Sequence, residues 1–198
     1  MKRSTLLTAA GLVVLLAVIR VATDSPDLTS SGTFGAALRL AIPIGLAGLG
    51  AIYAERCGVV NIGLEGMMIL GTWGAGYFGY HYGAWAGVGG AILMGALGGL
   101  LHAIATVTFG VDHIISGVAV NIVALGAVQY LASLTFTGLP GGGTTQSPKL
   151  PDVQTLTIGP VSDALLELEK QDAFFVSDLA GVLRALVDNL SFLVILSF

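Results

Sequence analysis

Charge is what this sequence has least of. Only 10% of its 198 residues are Asp, Glu, Lys or Arg, whereas 55% are hydrophobic and the mean hydropathy is +0.88. Soluble domains carry about 25% charged residues, so a water-exposed globule is excluded and the bilayer must act as solvent. Cysteine is nearly missing as well. Cys57 is alone, which rules out an intrachain disulfide and leaves a small apolar filler with nothing to say about redox compartment. Basic residues are outnumbered, giving a net charge of −4 that argues against nucleic acid as a partner. A phosphate-binding loop is also lacking. The triple glycine at Gly141, Gly142 and Gly143 is not followed by Lys-Ser or Lys-Thr at the required spacing, so no site for nucleotide hydrolysis is present.

What the chain does have is apolar runs. A hydrocarbon layer about 30 Å thick takes roughly 20 residues of helix. On that measure residues 6–22, 34–54, 62–80, 84–109 and 114–136 read as five complete spans, and residues 190–198 as the start of a sixth. The expected fold is an all-α integral membrane protein, a polytopic helix bundle forming one transmembrane domain over residues 1–198. Lys2 and Arg3 precede the first span without a small-x-small cleavage site, so that helix is retained and the N-terminus is cytoplasmic. Five crossings then put residues 137–189 outside. Their seven acidic residues against Lys149, Lys170 and Arg184 lack the basic excess of a cytoplasmic loop. Arg56, on the cytoplasmic side of the second span, agrees.

Glycine is abundant, with 29 copies. Lipid provides no hydrophobic force to join helices, so small residues that let backbones approach closely mark the faces that touch. Gly71, Ala75, Gly79 and Gly83 recur every four residues, and so do Gly87, Ala91, Gly95 and Gly99. The two stripes predict an antiparallel hairpin turning near Gly83. Tyr77, Tyr80, Tyr82 and Trp85 surround the turn and read as an interfacial belt, with Trp73 packing one turn deeper. Pro43 predicts a kink or break in the second span. After the fifth span, residues 138–151 are too rich in Pro and Gly for helix. Ser177 then caps an amphipathic helix with Leu179, Val182, Leu183, Leu186, Val187 and Leu190 on one face, set against the bilayer surface or the other spans.

The sharpest feature lies between the second and third spans. Glu65 falls in an apolar stretch, where an ionised carboxylate costs about 3 kcal/mol or more unless it has a partner or a wet cavity. Gly58, Gly63, Gly66 and Gly71 surround it. Irregular backbone at membrane depth is tolerated where it is buried in protein or lines a water-filled path. A broken or re-entrant segment is expected around residues 55–66, bordering a translocation route. Pairing of Glu65 with Arg39 or Arg56, as simple helix glue, is an equal alternative. His102, Asp112 and His113 are of the types that relay protons or bind metal, but the adjacent pair Asp112 and His113 would point in different directions on a helix. They read as solvated interface residues, and no metal or cofactor is implied.

At Gly58 to Met68 the chain reads Gly-Val-Val-Asn-Ile-Gly-Leu-Glu-Gly-Met-Met. This run resembles, without a change, the signature of permeases of the branched-chain amino acid and simple-sugar ABC importer family, nucleoside-type branch. Residues 111–121 are similar to the same family's pattern at the start of the fifth span. There the family often has Asn followed by Gln or Glu, where this chain has Asp112 and His113. Asn121 matches, and an amide in a lipid-embedded helix should face other helices or a ligand. The resemblance implies a permease subunit of an importer for nucleosides or related sugars, in the cell membrane. Its implied partners are a second permease subunit, cytoplasmic ATPase subunits and an extracytoplasmic substrate-binding protein or lipoprotein, besides membrane lipid. Candidate pathway residues are Asn61, Gly63, Glu65, Gly66 and Asn121. No catalytic group is expected, ATP hydrolysis belonging to another polypeptide. The family continues with further helices and a coupling loop beyond Phe198, so a fragment or truncated gene product is expected. A proton-coupled secondary transporter is the nearer rival, an intramembrane enzyme the more distant one.

Overall fold

The computed structural model describes residues 30–156, 159–170, 176–185 and 190–191, with scattered helical positions between Thr8 and Thr23. Most of the predicted first span therefore lies outside the described residues. The regular elements among the described residues are helices apart from one two-residue ladder. Its elements are α1 (Ser31–Arg56), α2 (Leu64–Tyr82), α3 (Ala84–Ala103) continued by a π-helical turn (Ile104–Thr108), α4 (His113–Phe136), α5 (Gly159–Glu169) and α6 (Val176–Ala185). Strand β1 (Thr155–Leu156) pairs antiparallel with β2 (Leu190–Ser191). Leu190 and Ser191 are thus extended, not the first residues of a sixth membrane helix.

Three helices among the described residues are long and apolar enough to cross a membrane: α1, α3 with its π-helical turn, and α4. The 19-residue α2 occupies the predicted third span but is not among them. Glycine, tyrosine and Glu65 dilute its apolar content. It buries Gly66, Met67, Gly71, Gly74, Gly76 and Gly79, so its small residues face protein. Pro43 lies inside α1, which runs through it without a break.

The chain divides into two compact units, one formed by residues 46–153 and the other by residues 1–45 and 154–198. In the first, most buried positions carry small side chains, with Met67, His102 and Phe136 the large exceptions. α3 buries Gly87, Gly90, Gly98 and His102, and α4 buries Ser116, Gly117, Ala124, Ala132 and Phe136. The large aliphatic residues point outward. Ile92, Val107 and Ile122 are each about 70% exposed. In water such an inventory would be a severe penalty; in lipid it is the expected arrangement, with apolar chains outside and close backbone contact within.

Helices α2 and α3 form an antiparallel hairpin around Gly83, whose φ of +94° belongs to the region open chiefly to glycine. A methyl group on Gly87 would lie 3.0 Å from the Ala75 carbonyl oxygen and from Gly79 Cα, and one on Gly71 would lie 3.2 Å from the Ala91 carbonyl oxygen. Gly95 and Gly99 approach Met67 less closely, at 3.5 Å from its carbonyl oxygen and 3.8 Å from its Sδ. The tightest approach involves Gly74, where a methyl would collide with the Gly90 carbonyl oxygen. Beyond α4 the chain is irregular from Thr137 to Gln154.

The second unit contains α5 and α6. Glu169 at the end of α5 accepts a hydrogen bond from the Ser31 backbone N–H at 2.8 Å. Arg184 of α6 pairs with the other carboxylate oxygen at 3.1 Å and also donates to Ser31 Oγ at 3.2 Å. Burial opposes the charge on Glu169, but the hydrogen bonds from Ser31 and the guanidinium of Arg184 outweigh it and hold the carboxyl below its ordinary range. Ser177 sits within α6 and is 3% exposed, together with buried Ala180, Gly181 and Ala185. The expected leucine face is reversed: Leu179 and Leu183 are exposed, because the small-residue face is the one that packs. Leu186 and Val187 fall outside the described residues.

Candidate functional site

The interruption predicted around residues 55–66 is shorter than expected. α1 continues to Arg56 and α2 begins at Leu64, so the non-helical stretch is residues 57–63. Cys57 and Gly58 close the end of α1 by backbone bonds to Tyr53, Ala54 and Glu55, with Gly58 at φ +81°. From there the chain turns back toward α2. Asn61 stabilises the turn, its Oδ1 accepting from the Gly63 N–H at 3.0 Å.

Asn121, in the middle of α4, fastens this turn from the side. Its Oδ1 accepts from the Gly66 N–H at 2.7 Å, and its Nδ2 donates to the Ile62 carbonyl oxygen at 3.2 Å. The first turn of a helix has amide protons with no partner in the helix, and a carboxamide suits that need because it can accept and donate at once. Such proximity demands glycine. A methyl on Gly66 would lie 2.8 Å from Asn121 Cα and from the Val120 carbonyl oxygen, and one on Gly117 would lie 2.9 Å from the Gly63 nitrogen. Gly63 and Gly66 therefore bring backbones together rather than loosening a helix.

Of the five residues singled out from sequence, four converge: Asn61, Gly63, Gly66 and Asn121. Glu65 is beside them but exposed, and it makes no ion pair among the described residues. The glue role through arginine is thus not realised there. Its place is in the first turn of α2, where the helix dipole favours a carboxylate.

A second layer surrounds the turn. His113 Nδ1 accepts from the Val60 N–H at 3.2 Å, and Asp112 caps α4 by accepting from the N–H groups of Ile114 and Ile115. His102 departs from its expected solvated position. It is 3% exposed, with Nδ1 at 2.9 Å from Ser116 Oγ, while Thr106 Oγ1 donates to the His102 carbonyl oxygen at 2.8 Å. That back-bond immediately precedes and enters the π-helical turn, the kind of local widening often found beside functional sites. Trp73 stacks on Tyr77, ring centroids 5.2 Å apart, with its indole N–H buried and unpartnered among the described residues.

The family described as branched-chain amino acid transport system, permease component, matches residues 33–196. This chain belongs to that permease family. Among curated relatives, the permease-family chain is 40% identical over 124 residues to the guanosine ABC transporter permease protein NupQ of Bacillus subtilis, covering 59% of this chain and 37% of NupQ. It is 39% identical over 90 residues to the nucleoside ABC transporter permease protein NupC of Lactococcus lactis, covering 41% and 28%. A third relative, a putative glucose ABC transporter permease protein, TsgC13 of Haloferax volcanii, is 32% identical over 116 residues, covering 56% and 35%. The matched region is thus roughly a third of each relative. No solved structure matches. A permease-family chain with three long apolar helices is a multi-pass membrane protein.

Sequence reasoning missed Gln129, a second amide in the largely apolar α4, and the Gly74–Gly90 contact. Gln129 carried the same signal as Asn121, a carboxamide in a lipid-embedded run.

Proposed function

We propose that this chain forms part of the translocation path of an ABC importer for nucleosides. The reading rests on one arrangement: Asn121 holds the interrupted backbone at Ile62 and Gly66 while Glu65, in the same turn, is left exposed. A fixed break beside a free carboxylate is costly in lipid and reasonable beside a wet path. Asn61, Gly63, Glu65, Gly66 and Asn121 border that path. The guanosine and nucleoside specificities in the names of two relatives support the substrate class.

In this reading the chain crosses the membrane five times from a cytoplasmic N-terminus, so the turn at residues 57–63 faces the cytoplasm and the loop after α4 faces outward. A second permease subunit completes the path, two cytoplasmic ATPases drive it, and an external binding protein or lipoprotein delivers the solute.

The test is uptake of radiolabelled nucleoside by cells expressing the complete operon, with and without the binding protein. ATP-dependent uptake that needs the binding protein is expected, and Glu65→Gln should impair it at unchanged abundance. Uptake driven by a proton gradient without ATP would favour a secondary transporter. Full uptake by Glu65→Gln would remove that residue from the path.

A further inference from the structure

A cavity of about 300 Å³ lies between α2, α4 and the loop that follows α4. Trp73, Gln129, Phe136, Thr145, Gln146 and Ser147 are among its lining residues. Trp73 is well along α2 from Gly63, roughly 15 Å by helical rise, so the cavity is separate from the turn held by Asn121. Its loop wall is built rather than loose. Gln146 Nε2 donates to the Gly141 carbonyl oxygen at 3.2 Å, the Gly143 N–H donates to the Gln146 carbonyl oxygen at 3.0 Å, and a methyl on Gly76 would lie 3.0 Å from Ser147 Cβ.

The lining has three chemical properties together. No charged side chain contributes to it. It includes a broad aromatic surface, the Trp73 indole, already stacked on Tyr77. Polar side chains face the same space: the exposed carboxamide of Gln129 and, from the loop, the side chains of Thr145, Gln146 and Ser147. A gap meant for lipid tails would not be lined with amides and hydroxyls, since unpaired polar groups in hydrocarbon are unfavourable. The volume is at the small end of the range for organic ligand sites.

We propose that this cavity is a subsite for the aromatic base of an uncharged nucleoside, with Trp73 as stacking surface and the carboxamides of Gln129 and Gln146 meeting the polar edge of the base. The inference rests on the importer reading above and deepens it. Absence of charged partners selects nucleosides over nucleotides, whose phosphates would need cationic groups or backbone amides. In the outward orientation of the loop after α4, the base enters here before passing toward the turn at residues 57–63.

Two measurements on the complete transporter test it. In uptake assays at matched abundance, Trp73→Ala should raise KM for guanosine about tenfold, as expected for a lost base–aromatic stack, while Trp73→Phe keeps most of the affinity. Gln129→Ala should raise KM and change the ranking of purine and pyrimidine nucleosides. Independently of transport, 8-azidoguanosine photolabelling of membranes holding the complex should modify residues 69–76 or 144–147, and excess guanosine should suppress it. An unchanged KM in both alanine variants, or competed labelling only elsewhere, overturns the subsite. Loss of nucleoside uptake by the unsubstituted complex overturns the importer reading instead, and the photolabelling then decides the cavity alone.

Discussion

Asn121 reaches across from α4 to hold both sides of the turn before α2, accepting from the Gly66 N–H at 2.7 Å and donating to the Ile62 carbonyl oxygen at 3.2 Å. Truncation to Ala strands one backbone donor and one acceptor. Each such group left unsatisfied costs about 1–3 kcal/mol, so Asn121→Ala should lower stability by about 2 kcal/mol or more. Asn121→Asp keeps an acceptor for Gly66 but loses the donor to Ile62, and should fall between. Thermal unfolding of the detergent-solubilised protein reads the order; an alanine variant as stable as the parent would mean that the carboxamide holds nothing.

Glycines differ in what surrounds them, and that difference gives a paired prediction. Gly66→Ala places a methyl against backbone of α4, and Gly74→Ala places one against the Gly90 carbonyl oxygen. Backbone cannot rotate away, so each should destabilise by about 1–3 kcal/mol. Gly48 in α1 has nothing within 4 Å of an added methyl. There Ala should be neutral or stabilise by about 0.5–1 kcal/mol through helix propensity. Comparable losses at Gly48 and Gly74 would contradict the packing described.

The sequence made the hairpin of α2 and α3 legible, because small residues at helical spacing are a one-dimensional signal. It could not say which small residues touch most closely. A helix face includes neighbours at both three and four positions, so the stripe through Gly71 and Gly79 and the deeper contact at Gly74 share one face. Glycine near Glu65 signals a broken segment in the sequence, yet Gly63 and Gly66 serve close approach; composition does not reveal what lies opposite. The leucine face of α6 failed for a related reason. Amphipathicity marks a side as apolar without saying whether protein or lipid covers it, and here Ala180 and Ala185 are inside while Leu179 and Leu183 are out. The partnership of Asn121 with residues 59 and 55 positions earlier in the chain is a tertiary fact that no local pattern contains.

His102 and Ser116 form a buried polar pair between α3 and α4, Nδ1 to Oγ at 2.9 Å. Removing one partner leaves the other without its bond, so Ser116→Ala should cost about 1–3 kcal/mol. Replacing both with apolar groups removes the need. A double variant, His102→Leu with Ser116→Ala, should recover much of that loss, and a thermal-unfolding double-mutant cycle measures the coupling. Additive losses in the cycle would show that the two side chains do not interact.

Glu169 gives the prediction in pH. Its carboxyl titrates below the ordinary value because the Ser31 N–H and Arg184 stabilise the charged form more than burial opposes it. The folded protein thus binds fewer protons than the unfolded chain as pH falls through the acidic range. By linkage, this contribution to stability is complete above the unfolded carboxyl's pKa of about 4.3 and disappears as pH drops through the lower folded value. Glu169→Gln cannot ionise and should be less stable than the parent at neutral pH, with the gap closing in acid. Unfolding temperatures of both proteins from neutral pH down to about pH 3 provide the comparison. Parallel curves, with the gap unchanged at every pH, would rule out a stabilising charge at this position.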